Sequence, residues 1–175
     1  RIIIIPIEKV DSIFLERICE GLKKTFTTAT FQLSSSEINI PKNAYNAVRK
    51  QYHSTTILNE LYNKTKHLDA DAVLGVTRVD LYVPHLNFVF GEAQCPGKAA
   101  LISLHRLRPE FYGREPDPNL FEERGVKEAI HELGHVFGLN HCKNPTCIMF
   151  FSNGINDTDF KQAKFCDNCS KKLRL

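Results

Sequence analysis

The stretch VKEAIHELGHVFGLNHC, residues 126–142, decides how this chain is read. Val126, Ile130, Leu133 and Phe137 recur at helical spacing, which predicts an amphipathic helix with an apolar stripe toward a core. At roughly 100° per residue, His131 and His135 fall one turn apart on nearly the opposite side, so both imidazoles can reach one ion from one face. Glu132 is turned away from that pair by one residue step, and its carboxylate can reach water at the ion without being a ligand. Gly138 comes one turn after His135, and glycine most easily takes the left-handed conformation that ends a helix and turns the chain. That turn would bring His141 back to the same metal. The full pattern, HExxHxxGxxH, is far more specific than HExxH alone. Three neutral imidazoles with an open fourth position suit a catalytic zinc, whereas a structural site would be closed. His53, His67, His85 and His105 have no comparable spacing and read as structural or surface residues.

The neighbour of His141 opens a second pattern. Cys142 and Cys147 form one pair, Cys166 and Cys169 another, with spacers that suit a closed tetrahedral zinc site; disulfides and free thiols are the competing readings. Adjacent residues in an extended segment point in opposite directions, so His141 can face a catalytic ion while Cys142 faces a structural one. Cys147 stands just before Met149, so the second ion would also anchor that segment, and its binding should contribute to folding. Cys95, in a Cys-Pro-Gly turn, reads as a free thiol, and Cys19, on an apolar helical stripe, as core.

Upstream, Ile2 to Ile7 reads as a buried strand. Asp11 or Ser12 would cap a helix carrying Leu15, Ile18, Cys19 and Leu22, and Phe31 to Leu33 would be a short strand. Ile57, Leu58, Leu61 and Tyr62 mark a second helix that ends before Asp69. Three strand-like runs follow, Ala72 to Val79, Asn87 to Ala93 and Ala99 to Leu107; their short connections allow hairpin pairing and predict a mixed sheet. A Pro-rich, charged loop from Arg108 to Pro118 leads into the histidine helix.

The 175 residues fit a single domain, and 42% hydrophobic with 25% charged residues is ordinary for a globular chain. Nothing approaches the apolar length of a membrane span. A net charge of +3, spread along the chain apart from Lys171, Lys172 and Arg174, argues against a nucleic-acid grip. The expected setting is a cytoplasmic monomer with a peptide or protein partner, no nucleic acid and no membrane.

The run Cys142, Cys147, Met149, Cys166, Cys169 after HExxHxxGxxH resembles the archaemetzincin family of metzincin zinc metalloproteases. Two further stretches are similar to that family: LGVTRVDLYVPHLNFVFGEA, residues 74–93, and RKQYHS, residues 49–54. The resemblance implies an α/β (α+β) fold: a twisted mixed β-sheet with backing helices, a central zinc-binding helix, and a small C-terminal subdomain stapled by zinc. Residues 1–138 would carry the sheet and active-site helix, and 139–175 the Met-turn and cysteine site. It also implies that Met149 lies beneath the catalytic zinc as an apolar base, and that Asn87 to Gln94 is an edge strand to which an extended peptide can add. One position departs from some metzincins: Phe151 stands where they carry a tyrosine two residues after the Met, so any second electrophile comes from elsewhere.

The expected function is therefore zinc-dependent peptide hydrolysis, with two zinc ions per chain. His131, His135 and His141 hold the catalytic ion, and Cys142, Cys147, Cys166 and Cys169 the structural one. Glu132 is the general base toward zinc-bound water and then the acid toward the leaving amine. The alternative is a weakly active or inactive zinc-binding scaffold or peptide-binding protein, against which the intact Glu132 speaks. A zinc-ribbon nucleic-acid module would leave HExxHxxGxxH unexplained.

Overall fold

The isoleucine run at the start of the chain shows why the sheet is covered on both faces. In the computed structural model, which describes residues 1–173, Ile2–Pro6 form strand β1. Successive side chains of a strand point to opposite faces. Ile2 and Ile4 enter one apolar cluster, while Ile3 and Ile5 enter a second one on the other side. The first cluster is completed by Leu15, Ile18 and Leu22 of helix α1 (Ser12–Thr25) and by Ala129, Ile130 and Leu133 of helix α3 (Pro118–Val136). The second is completed by Ile57, Leu58 and Leu61 of helix α2 (Ser54–Thr65). The helices thus lie on both sides of the sheet.

Strands β1, β2 (Phe31–Leu33), β5 (Ala72–Thr77) and β8 (Ala99–Ser103) run parallel, and β7 (Gly91–Ala93) closes one edge antiparallel to β8, in the order β2-β1-β5-β8-β7. The mixed sheet predicted from the short connections is present. Every residue of β5 and β8 is buried, as expected for central strands with helices on both faces. Asp11 caps α1, its carboxylate accepting from the backbone N–H of Ile13 (2.8 Å) and Phe14 (3.2 Å).

Three sequence expectations change. The run Asn87 to Ala93 is strand only from Gly91; before it, Val89 makes a single bridge to Leu81. The run Ala99 to Leu107 leaves the sheet at Ser103, because Leu104 turns to helical dihedrals and a 3₁₀ turn follows over His105–Leu107. The polar stretch after Pro41 supplies strands β3 (Tyr45–Asn46) and β4 (Gln51–His53) of a second sheet, which β6 (Leu81–Tyr82) completes in the order β3-β4-β6. Elements of two or three residues are too short to show a period. Side chains hold this sheet to the strand-free loop, with Arg49 donating to the carbonyls of Leu86 (2.7 Å) and Asn87 (3.0 Å).

Helix α3 is not the one-sided helix that its spacing suggested. Arg124 and the stretch Gly125 to Gly134 are buried all round, because the sheet lies on one flank and the C-terminal segment on the other. Phe137, read as the end of the apolar stripe, is instead the C-cap and is 37% exposed. Arg124 binds Asp159 of helix α4 (Ile155–Phe160) through two 2.7 Å hydrogen bonds, tying the C-terminal segment to α3. The chain then enters α5 (Asp167–Leu173), which contains Lys171 and Lys172; Arg174 lies outside the described residues. Among the described residues, no helix is long and apolar enough to cross a membrane.

Candidate active site

His131 and His135 project from the last turns of α3. Gly138, with φ +91°, takes the left-handed turn anticipated for it. Its N–H donates to the His135 carbonyl (2.9 Å) and the Leu139 N–H to the Gly134 carbonyl (2.9 Å), the paired bonds of a Schellman motif. The turn places the Leu139 carbonyl against the His135 ring, whose Nδ1 lies 2.7 Å from it, and returns the chain so that His141 meets the other two rings. His131 Nδ1 lies 2.7 Å from the Ile148 carbonyl.

These two backbone contacts settle what the rings can hold. A carbonyl oxygen only accepts, so Nδ1 carries the proton in both rings and each Nε2 of the neutral imidazole is a bare lone pair. His135 Nε2 nevertheless lies 3.1 Å from His131 Nε2 and 3.2 Å from His141 Nε2. The lone pairs of His131 and His135 cannot hydrogen-bond to each other, whereas tetrahedral ligands around zinc at ~2.05 Å stand ~3.3 Å apart. Burial is the first cause holding His131 well below the ordinary imidazole range, reinforced by Lys161 and His135. Burial likewise lowers His135 and His141, so all three favour the neutral form that a metal requires. The donor set fits zinc.

Glu132, 5% exposed, lies beside this cluster with its carboxylate toward β7: a Cβ added to Gly91 would sit 2.7 Å from Glu132 Oε1. Its carboxyl is raised well above the ordinary range, by burial first and the Glu128 charge second, while Lys161 pulls it down. Met149 is fully buried against Gly134, between the two helical histidines. Phe151 stacks edge-on upon His141, with ring centroids 5.0 Å apart. The three imidazoles and Glu132 open into a cleft of about 640 Å³, edged by Phe88 to Ala93 on one side and by Ser152, Asn153 and Lys161 on the other.

The four cysteines expected to act together also converge. The sulfurs of Cys142, Cys147, Cys166 and Cys169 all lie within 4.8 Å of one another, and every cysteine is a free thiol. The Cys142 and Cys166 sulfurs are 3.8 Å apart, the ~3.8 Å edge of a tetrahedron with zinc–sulfur bonds of ~2.3 Å. The backbone N–H of Cys169 is the main cause drawing the Cys166 thiol down to about 7, while burial pushes Cys147 and Cys169 up. A bound cation would deprotonate the whole set. His141 and Cys142 lie in different clusters, and the Cys142 N–H donates to the Met149 carbonyl (2.9 Å).

Cys19 is core, as read, and Cys95 is an exposed thiol in its turn, its sulfur 3.5 Å from the Leu139 carbonyl that also receives His135. None of His53, His67, His85 and His105 joins either cluster. Glu92, Glu128, Ser152 and Lys161, which line the cleft, carried no sequence signal because separate elements bring them together.

A fold and a donor set of this kind define a zinc metallopeptidase, and comparison with known proteins agrees. Residues 32–175 match the profile of Peptidase family M54. The chain is 49% identical to an archaemetzincin of Methanocaldococcus jannaschii, over 99% of this chain and 93% of that one. It superposes with a TM-score of 0.83 on the crystal structure of archaemetzincin from Archaeoglobus fulgidus complexed with malonate, at 40% identity and 98% of each chain. A zinc-dependent peptidase from Methanocorpusculum labreanum gives a TM-score of 0.86 at 33% identity, covering 99% of this chain and 100% of that one. The chain belongs to Peptidase family M54, the archaemetzincins.

Proposed function

We propose that this chain is a metzincin that hydrolyses peptide bonds at the cleft beside α3, with Glu132 as its general base. The observation that carries the reading is the buried Glu132 carboxylate standing next to three converging imidazole Nε2 atoms. His131, His135 and His141 would hold one zinc and the four cysteines a second, structural one. Zinc at the histidines, when bound, supplies Lewis acidity toward the attacking water and the scissile carbonyl.

The chain's own groups do the rest. The free edge of β7 takes an extended peptide as an added strand and aligns it along the cleft. Glu132 accepts a proton from the attacking water and passes it to the leaving amine, and its burial raises its basicity toward what neutral pH requires. Cys142 and Cys147 fix the segment that carries His141 and Met149. Residues 1–138 thereby supply sheet and base, and 139–175 the third imidazole and the staple.

The test is Glu132→Gln, which keeps the shape and removes the base. Zinc content should stay at the native value while peptide cleavage falls by about 10²–10⁴-fold. Undiminished cleavage at native zinc content would show the base to be elsewhere.

A further inference from the structure

The cleft contains buried hydrogen-bond donors that hydrolysis by Glu132 does not use. Lys161 follows α4, and its side chain is fully buried with Nζ 3.2 Å from Glu128 Oε1. That is longer than the ~2.7–2.9 Å of a charge-assisted hydrogen bond. The ammonium makes no hydrogen bond at all, and the same Glu128 oxygen already accepts from the Thr158 hydroxyl at 3.0 Å. Ser152 Oγ is likewise buried without a partner. Both residues line the cleft that holds His131 and Glu132. Buried donors left without acceptors are costly, and charged ones most of all.

The polar groups of the cleft are sorted by side. Glu92 on β7 accepts from the Thr55 hydroxyl (2.8 Å), and Glu132 turns toward Gly91 on the same strand. The ammonium and the free hydroxyl come from the C-terminal segment opposite. Glu128, which Lys161 neighbours, stands four residues, about 6 Å along the helix, before Glu132, so these donors are within one side chain's reach of the reacting bond.

We propose that Lys161 and Ser152 form a subsite for an acidic side chain, aspartate or glutamate, on the peptide residue adjoining the scissile bond. A carboxylate has enough lone pairs to accept from the Lys161 ammonium and the Ser152 hydroxyl together, and its charge completes the pairing that Glu128 leaves unfinished. A side-chain amide would bring N–H protons that need acceptors of their own, and a lysine would face the Lys161 ammonium. The assignment rests on the peptidase reading for its substrate, and its test reads binding rather than turnover.

The experiment uses the full chain carrying Glu132→Gln and blocked fluorescent alanine hexapeptides with one Glu, Gln, Leu or Lys placed at each position in turn. At one position the Glu peptide should bind about tenfold tighter than its Leu, Gln and Lys counterparts, the effect of one charge-assisted hydrogen bond. Adding Lys161→Met with Glu128→Gln, which removes both charges of the pair together, should erase that ratio. Ser152→Ala, which leaves the ion pair intact, should reduce it and serves if the double variant does not fold. Equal binding of all peptides, no binding, Gln binding as tightly as Glu, or a preference that survives these changes would overturn the subsite. Cleavage by the protein with Glu132 intact is scored separately, and its absence would count against the peptidase reading alone.

Discussion

The sulfur of Met149 occupies the space that a side chain at Gly134 would need: a Cβ there would lie 2.5 Å from it. The glycine between the two helical histidines therefore sets how closely the Met149 segment approaches the helix, and with it the height of the Ile148 carbonyl that orients His131.

Gly134→Ala sets two effects against each other. Alanine in a helix interior gains about 0.5–1 kcal/mol over glycine, whereas overpacking a buried site costs about 1–3 kcal/mol. Met149 has no exposed surface into which to swing, so overpacking should win. The variant should unfold at lower denaturant than the native protein and bind zinc more weakly at the histidines; a gain in stability with native zinc affinity would contradict this packing.

Gly91→Ala should act on catalysis more than on folding. Its Cβ would sit 2.6 Å from the Leu101 carbonyl oxygen and 2.7 Å from Glu132 Oε1. The carbonyl belongs to β8 in the sheet and cannot yield readily, so β7 or the Glu132 carboxylate must move. A displacement of about 1 Å at a reacting group costs about 10²-fold. We expect kcat/KM for peptide cleavage to fall by that order while the melting temperature changes little.

The two clusters should lose metal independently. Cys166→Ser should remove about one zinc per chain and lower the melting temperature, since a closed structural site contributes to folding. Joint substitution of His131, His135 and His141 should remove about one other zinc and abolish cleavage with less effect on folding. Zinc counting by elemental analysis on the native chain and both variants checks this; loss of both ions from either variant would mean one shared site.

Metal-free protein should weaken in mild acid. His131, His135 and His141 have folded pKa values below the ordinary 6.5, so as pH falls through 6.5 the unfolded chain takes up protons that the folded chain refuses. Unfolding free energy should therefore decline from that pH downward until the folded values are reached. Glu132, raised by burial above 4.5, works in the opposite sense, favouring the fold as it takes up its proton. The difference between the native chain and the triple histidine variant, followed by urea unfolding at pH 7.5 and 5.5, isolates the imidazoles. A native chain that loses no more stability than the variant would refute the sign.

Much of this protein was determined by the sequence alone. The 3.6-residue period puts His131 and His135 on one face whatever surrounds the helix. Gly138 permits the positive φ that turns the chain, and the cysteine spacings prepare a tetrahedral set; all these are local, set by bonds within a few residues. The isoleucine run at Ile2 likewise announced a buried strand, whose side chains enter the clusters on both faces of the sheet. Tertiary structure alone decided the burial of the far side of α3, the short sheet around Gln51, and the exposure of Phe137. It also brought Lys161 and Ser152 of the C-terminal segment to the cleft opposite Glu92 of β7. Those features depend on contacts between residues far apart in the chain, where no period or spacing records which side chains will meet.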